Sequence, residues 1–555
     1  MNSATTDDAA APAPRRRQTG GYAALVAAGI FLSRIAGLIR MRVFAHYLGS
    51  SPAADAFNVA LKVPNFLQNL LGEGVLSASF IPVYAKAVAR GDEKLAGRIA
   101  GVFASFIALG VAVIVLLGVL LAPVILGITA AGLPPDVMAL AVKLTRIIFP
   151  GIGLLVLYAW CLGILNTHRQ FFLAYVAPVL WNAAMIATLL IFGARLASFE
   201  LATALAWGTV VGCALQFGIQ IPFVLRHEKN LSFGLDRRLE PVRVIFRNLA
   251  PVLGGRGVVQ ISGYVDTFIA SFLPSGAFTN LVYAQTIYML PVSLFGMSVA
   301  VAELPQMSSE TGTDEEIAAA IRKRLERGLR QVAFFVVPTT VAFLVIGRLL
   351  VAALYQTGRF GPDTTLLVWY ILIGSTIGLL VATMGRLYSS AFYALGDTRT
   401  PFRFAVARVS VGAALGLLFA FPLRPMFVAA FEAAGLPIPG GPAGAASLGV
   451  VGITAASGVG AWVEFLLLRR GIRRRVGRPA PAAGYYVRIW IAALVAGGAA
   501  LAFDWLAARE VAQRLVLPHV MEALAVSGLF GIVYFAAAGL LGVPEVKATI
   551  GRFRR

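Results

Sequence analysis

The sequence predicts an all-α polytopic membrane protein, and three features of the chain support this prediction. Of the 555 residues, 59% are hydrophobic and only 13% are charged, and the mean hydropathy is +0.81. Soluble domains carry about 25% charged residues. Apolar runs of about 20 residues recur from end to end, each long enough to cross a bilayer as a helix. Short polar connections between the runs favour helices over a β-barrel, whose strands alternate with a period of two.

The apolar runs give about fourteen candidate spans. We place them at residues 22–48, 53–85, 99–127, 138–165, 172–194, 201–225, 247–273, 278–305, 331–355, 364–394, 402–422, 446–468, 485–506 and 517–541. The first two have weaker hydropathy because they contain charged residues, but those residues follow a helical order. Cys161 and Cys213 both fall inside apolar runs, so neither a disulfide framework nor a cysteine metal site is expected.

Basic residues alternate between the loops. If the N-terminus is cytoplasmic, about thirty Lys and Arg residues face the cytoplasm and about five face outside, which is the usual bias of membrane proteins. We therefore expect both termini in the cytoplasm and the loops near 128–137 and 274–279 outside. The net charge of +21 then reflects topology and contact with anionic lipid. Nucleic-acid binding is not expected, because no basic motif with interleaved aromatic residues is present.

The chain contains an internal repeat. Residues 165–178 read LNTHRQFFLAYVAP and residues 395–408 read LGDTRTPFRFAVAR, with five identical positions at a constant offset. Both segments fall in a cytoplasmic turn between a fourth and a fifth span. We expect two six-helix lobes related by a pseudo-two-fold axis along the membrane normal, with substrate between them. Chance similarity between two polar turns is the alternative.

The repeat defines a domain organisation. The predicted units are a disordered basic tail (1–20, which is no signal peptide), an N-lobe (21–226), a cytoplasmic linker (227–246), a C-lobe (247–470), a basic cytoplasmic linker (471–484), two further spans (485–541) and a basic C-terminal tail (542–555).

Charged and amide side chains form a stripe along the second span. Asp55, Asn58, Lys62, Asn65, Asn69 and Glu73 are spaced by 3, 4, 3, 4 and 4 residues. At about 100° per residue they share one face of a helix. Ionisable groups are costly in hydrocarbon, so this face is expected to border water or other helices.

Other spans add further polar groups. They are Ser33, Arg34 and Arg40 in the first span, Arg256 and Asp266 in the seventh, and Arg386 in the tenth. Cations outnumber anions in this set, and an excess of buried positive charge needs an anionic ligand or water. Arginine suits phosphate because its planar fork binds two oxygens at once. We therefore expect a pyrophosphate pocket made by Arg34, Arg40, Lys62 and Arg256. Ion pairs that only lock the helices together are the alternative.

Several short motifs carry a resemblance to a known family. They are SRIAGLIR (33–40), ADAF (54–57), KVPN (62–65), GEG (72–74), FIP (80–82), LNT (165–167), AP (177–178), Asn182, QIS (260–262), ASFL (270–273) and GDTRTP (396–401). In order and spacing, from about residue 22 to 470, they resemble the MurJ (MviN) family of the multidrug/oligosaccharidyl-lipid/polysaccharide exporter superfamily.

The resemblance implies a flippase, not an enzyme. Members of the family flip lipid II, the undecaprenyl-pyrophosphate disaccharide-pentapeptide of peptidoglycan synthesis, across the bacterial inner membrane. They have two six-helix lobes and two extra C-terminal helices. By this match Arg34, Arg40, Asp55 and Glu73 occupy positions of functional cavity residues, and the last two spans form a groove for the polyprenyl tail.

The sequence departs from the family pattern at two positions. Gln68 and Thr286 stand where the family commonly has basic residues, so two cavity cations are missing and Arg256 is a candidate to compensate. Another exporter of the same superfamily is therefore the first alternative, although an antiporter of cationic drugs should have an acidic cavity. A membrane enzyme of polyprenyl-phosphate metabolism is the second. It would need clustered carboxylates or a histidine nucleophile, and the four histidines are scattered.

Coupling and partners are less constrained. No cofactor is expected, and no Walker A sequence is present, so membrane potential or an ion is the expected energy source. The ion is not assigned: Asp266 lies in the seventh span, the eleventh offers no carboxylate, and depth argues against an Asp266–Arg408 pair. The expected partners are lipid II, anionic lipids and cell-wall synthesis proteins, and the expected state is a monomer.

Overall fold

The computed structural model describes residues 18–71, 79–478, 483–508 and 518–553. Within these ranges the chain is helical and contains no strand beyond one isolated bridge between Thr357 and Phe360. The predicted all-α class is confirmed.

The first half of the chain, which we call the N-lobe, contains nine helices within the described ranges. They are α1 (Gln18–Leu48), α2 (Pro52–Leu71), α3 (Ile81–Ala89), α4 (Glu93–Thr129), α5 (Pro135–Thr167), α6 (Phe171–Val176), α7 (Pro178–Phe192), α8 (Ser198–Gly218) and α9 (Ile221–His227).

The second half, which we call the C-lobe, runs from α10 to α18, and three helices follow it. The C-lobe helices are α10 (Glu240–Ser271), α11 (Ala277–Pro291), α12 (Ser298–Ser308), α13 (Asp314–Val345), α14 (Gly347–Tyr355), α15 (Pro362–Ala394), α16 (Arg399–Ala420), α17 (Arg424–Ala433) and α18 (Gly449–Val476). A π-helical turn (Val292–Met297) joins α11 to α12, and a 3-10 turn (Pro442–Leu448) precedes α18. The last helices are α19 (Ala483–Phe503), α20 (Pro518–Leu540) and α21 (Pro544–Phe553).

Ten helical segments of the described chain are long and apolar enough to cross a membrane. The charged helices α1, α2 and α10 and the shorter apolar helix α7 lie at the four remaining predicted spans. A total of fourteen stays a prediction.

Two predicted boundaries are wrong, and one helix was not expected. The span 53–85 is not one helix, since the chain makes a turn at Phe80, just before α3 begins. The span 331–355 divides at Ile346 between α13 and α14, where backbone angles leave the helical region. The short helix α17 in the loop before α18 was not expected, because hydropathy alone does not detect a helix of 10 residues.

The two lobes use equivalent helix pairs. In the N-lobe α8 packs mainly on α5 and α7, and in the C-lobe α18 packs mainly on α15 and α16. Glycines allow the closest approach: a Cβ added to Gly458 would lie 2.9 Å from the Gly378 nitrogen on α15. Small residues permit such backbone contact in membranes. The repeated segments 165–178 and 395–408 occupy the equivalent turns α5–α6 and α15–α16, while the axis relating the lobes stays a prediction.

The α15–α16 turn is held by Asp397. Its carboxylate accepts hydrogen bonds from the Thr400 amide (2.9 Å) and hydroxyl (2.7 Å) and pairs with Arg475 at 2.5 Å. The hydrogen bonds from Thr400, and then the Arg475 charge, hold the pKa of the Asp397 carboxyl below its usual range. The ionised aspartate thus caps the first turn of α16.

We expect Asp397→Asn to lower the melting temperature in detergent by the equivalent of about 1 kcal/mol. Because the pKa is depressed in the folded state, the stabilisation is complete above the unfolded pKa of about 3.9 and is lost as pH falls below it. The difference between variant and parent should therefore stay constant from neutral pH to about pH 5 and shrink as the pH falls through about 4 and below. A difference that does not change with pH would contradict this assignment.

Topology can be tested with single cysteines. Ser275 and Arg237 are both exposed, whereas Cys161 and Cys213 are fully buried and should give little background. We expect a membrane-impermeant maleimide added from the periplasmic side to label Ser275→Cys but not Arg237→Cys. The reverse pattern would invert the proposed orientation.

Candidate substrate pathway between the lobes

The hydrogen bonds described between the two lobes lie toward one end of the bundle. At this end α1 stops, α2 and α11 begin, and the turn 357–360 folds against α1. His46 Nδ1 lies 2.8 Å from Thr357 Oγ1, and the Arg359 amide donates to His46 O at 2.9 Å. Tyr283 donates to Gly49 O at 2.9 Å, and Ser50 bonds to Asn280. We call residues 46–58, 276–283 and 357–360 the inter-lobe seal.

Asp55 is the buried anion of the seal, with a relative exposure of 3%. One carboxylate oxygen accepts from the Gly276 amide at 2.5 Å, and the other accepts from the Thr279 amide (2.8 Å) and hydroxyl (2.6 Å). These donors belong to the first turn of α11, whose free amides favour an anion. Asp55 thus caps a helix of the opposite lobe, and both of its carboxylate oxygens accept hydrogen bonds from that helix.

Lys62 also reaches across the lobes, two helical turns further into the bundle. Its ammonium donates to Gly263 O and Thr267 Oγ1 on α10, both at 2.6 Å. It lies 5.0 Å from the centre of the Phe278 ring and 5.8 Å from that of Tyr264, within range of cation–π attraction. Asp266 lies near enough to interact with it electrostatically. Lys62 is therefore partnered without a short ion pair.

Arg40 is held within the N-lobe. Its Nε donates to Asn182 Oδ1 on α7 at 2.9 Å, and its guanidinium lies 5.2 Å from the Trp181 ring centre. Tyr283 and Tyr355 of the C-lobe are close enough to interact with its charge. Within the described part of the chain the two terminal nitrogens of the fork have no hydrogen-bond partner, so they can donate to an oxyanion.

The C-lobe has a cavity of about 250 Å³ between α10, α11, α15, α16 and α18. Asp266, Gln285, Tyr288, Arg408 and Ser457 are among its lining residues. Ser457 Oγ donates weakly to Asp266 at 3.4 Å. Arg408 pairs with Glu464 of α18 at 3.1 Å, and Arg386 is near enough to interact with both.

The predicted site residues that the structure describes lie at several places in the bundle. Arg34 is exposed on α1, and Ser33 and Asn65 are half-buried. Arg386 is exposed and lies near Arg408 and Glu464 of the C-lobe. Glu73 lies outside the described residues, as does the side chain of Arg256 on α10. A pocket of Arg34, Arg40, Lys62 and Arg256 therefore stays a prediction, and so does the compensation by Arg256.

Two features of the site escaped the sequence analysis. Glu464 on α18 forms an ion pair with Arg408, a partner that the sequence analysis did not identify. Asp266 and Arg408 line the same cavity, although depth argued against their meeting, because α10 and α16 run side by side there. Glu464 is a single acidic residue between an apolar run and a basic segment. Hydropathy therefore did not indicate it as a site residue.

Known proteins with similar sequence and structure point to one family. Residues 44–522 match the family described as "Lipid II flippase MurJ". The chain is 30% identical to the "Lipid II flippase MurJ" of Burkholderia cenocepacia, with 92% of this chain and 95% of that protein covered. It is 28% identical to the "Probable lipid II flippase MurJ" of Haemophilus influenzae, with 93% and 98% covered.

Two solved structures share the fold. "Lipid II flippase MurJ, inward closed conformation" superposes with a TM-score of 0.71 at 23% identity and covers 93% of this chain and 98% of its own. An inward-facing multidrug resistance transporter of the MATE family and MOP superfamily gives a TM-score of 0.59 at 17% identity, with 81% and 98% covered.

The seal predicts the effect of Asp55→Asn. The amide keeps the shape of the side chain but replaces one acceptor oxygen with a donor, so at least one buried N–H of the α11 cap loses its partner. We expect a loss of about 1–3 kcal/mol, measured as a lower melting temperature in detergent. Asp136→Asn, a change at an exposed aspartate near the same end of the bundle, is the control and should change stability by less than about 0.5 kcal/mol. Equal effects of the two variants would contradict the capping role.

Proposed function

The chain belongs to the lipid II flippase MurJ family, and we propose on that premise that it moves lipid II from the cytoplasmic to the periplasmic leaflet by alternating access of its two lobes. It binds and moves this lipid-linked precursor without chemical change, as a multi-pass protein of the bacterial inner membrane.

The observation that supports alternating access is the position of the inter-lobe seal. Four hydrogen bonds between the lobes lie at the end of the bundle that carries the 274–279 loop. They involve Asp55, Ser50, Gly49 and His46 of the N-lobe. The basic-residue pattern assigns that end to the periplasm. On this assignment the structure represents a state closed to the periplasm, in which a head group can enter the space between the lobes from the cytoplasmic side.

The charges suit an anionic head group. A pyrophosphate that leaves water needs charge-assisted hydrogen bonds to offset the loss of hydration. Among the described residues, the terminal nitrogens of Arg40 beside Trp181 have no hydrogen-bond partner, and the ammonium of Lys62 donates to neutral oxygens. A cavity for cationic drugs would need the opposite charge, so the observed cations favour lipid II over the drug-exporter alternative.

Lys62 offers a physical link between binding and opening. Its two hydrogen bonds to α10 join the lobes. A pyrophosphate oxygen is a stronger acceptor than a carbonyl or hydroxyl oxygen, so bound substrate competes for the ammonium and weakens the bridge. A ligand shifts a conformational equilibrium only through such differential contacts.

The energy source and partners remain part of the proposal. We propose that membrane potential or an ion drives the cycle without a cofactor and that both termini are cytoplasmic. We also propose that the protein acts as a monomer near cell-wall synthesis proteins.

Arg40 provides the first test, in a host whose own lipid II flippase is depleted. We expect Arg40→Ala to abolish growth and the appearance of lipid II at the outer leaflet, while the protein stays folded and inserted. Arg40→Lys keeps the charge but loses the planar fork, so it should restore only part of the activity. Arg195→Ala, at an exposed loop arginine, is the matched control. Full growth with both Arg40→Ala and Arg34→Ala would favour the structural ion-pair alternative.

The seal provides the second test. Ser50 and Asn280 are in side-chain contact across the lobes, so Ser50→Cys with Asn280→Cys should form a disulfide on oxidation. We expect the oxidised protein to lose lipid II flipping and the reduced protein to regain it. Each single variant should remain active under both conditions. Undiminished flipping by fully cross-linked protein would show that the seal does not need to open.

A further inference from the structure

An apolar groove runs along the outside of the N-lobe where α10 meets it. Its volume is about 430 Å³, within the range of about 300–1,000 Å³ typical of ligand pockets. Its walls include Phe66, Leu67, Leu117, Leu121, Phe149 and Tyr264. These residues come from α2, α4, α5 and α10, so the groove lies at a lateral junction of the two lobes and away from α19 and α20.

The groove presents no free polar group among the residues that line it. Only two of them carry hydroxyls. Thr129 donates to Ile125 O at 2.8 Å, and Tyr264 donates to Lys62 O at 3.3 Å. Leu117 and Leu121 expose 48% and 46% of their surface. A hydrocarbon chain fits such walls, whereas a polar head group would find no partner there.

The groove begins at one end of the helical bundle and reaches past its middle. Along α4 it extends from Ile114 to Thr129, the last residue of the helix, a rise of about 22 Å in a hydrocarbon core of about 30 Å. This is the end of α4 that lies beside the inter-lobe seal, since Gly132 in the next loop bonds to Ser271 of α10 at 3.0 Å. On the proposed topology, the Thr129 end of the groove lies in the periplasmic leaflet.

The groove is also next to a cation. Tyr264 forms part of its wall and packs edge-to-face on Phe66, with ring centres 5.7 Å apart. Tyr264 also lies beside Lys62, whose ammonium is 5.8 Å from the ring centre. The hydrocarbon site and a cation between the lobes therefore adjoin the same aromatic ring. A molecule with an anionic head and a long apolar tail matches this arrangement better than an ordinary phospholipid, whose head group would stay at the membrane surface.

We propose that this groove holds the polyprenyl tail of the flipped lipid in the periplasmic leaflet while its pyrophosphate is still near Lys62. The inference rests on the proposed lipid II flippase function and adds a tail site on the release side. Release of the head group past the seal then leaves the tail in the leaflet where the product belongs.

The test fills the groove from one face of α4. Leu117→Trp and Leu121→Trp add bulk inside it, while Leu116→Trp and Leu120→Trp place the same ring on the same helix outside it, at residues that expose 59% and 61% of their surface. In proteoliposomes containing the full chain and lipid II, we expect the groove variants to flip on the order of tenfold more slowly, as crowding of a packed site predicts. The controls should match the parent.

Two further arms identify the occupant. The groove variants should flip a lipid II analogue with a short prenyl tail at the parent's rate. A photo-cross-linking residue at 117 or 121 should capture undecaprenyl-linked lipid II in excess over phospholipid, and one at 116 or 120 should not.

Three results would overturn the groove proposal while parental flipping is intact: equal rates for groove and control variants, equal slowing of the short-tailed analogue, or capture of phospholipid alone. Absence of flipping by the parent protein would instead refute the proposed function itself.

Discussion

A charged or polar group inside a bilayer must meet another group or water, because hydrocarbon offers it no partner. In this protein the partners at the inter-lobe seal come from the opposite lobe. Asp55 of α2 finds the amides of α11, and Lys62 of the same helix finds oxygens of α10. Each lobe alone would therefore leave polar groups unsatisfied, and that requirement brings the two lobes together at one end.

The same chemistry explains how such a seal can hold and still open. Asp55 bonds to neutral donors, and Lys62 bonds to neutral acceptors. A buried ion pair that is broken leaves two uncompensated charges, at a cost of several kcal/mol. Breaking a hydrogen bond between a charge and a neutral group has a lower free-energy cost, because only one charge loses its partner. Water or a substrate oxyanion can then take the place of the neutral group. The described short ion pairs of the membrane region, such as Arg408 with Glu464, lie within one lobe and can move with it.

Sequence predicted the faces of helices well and their partners poorly. The spacing of Asp55, Lys62 and Asn65 correctly indicated that one face of α2 avoids lipid, because helical periodicity is a local property. It could not show that Asp55 caps α11 while Lys62 lies on α10, since that depends on how two distant segments cross. The same limit separated Asp266 from Arg408, and the short helix α17 also went unrecognised.

Close helix packing makes the C-lobe core rigid, while α10 connects it to the N-lobe. In the C-lobe α18 approaches α15 closely at Gly374, Gly378 and Gly458. A Cβ added to any of these glycines would lie under 3.0 Å from an atom of the other helix. Such contact leaves no room for relative sliding, because packed interiors respond to displacement by clashing. The C-lobe core is thus suited to move as one body. Lys62 hydrogen-bonds to this body through α10, whose first turns pack on the N-lobe through Phe246 with Phe103 and Phe106. A helix that contacts one lobe at its start and the other at its end must bend or tilt when the lobes move. Lys62 bonds to the part of α10 that such a change would displace. An anion that binds its ammonium between the lobes would therefore alter the contact between α2 and α10.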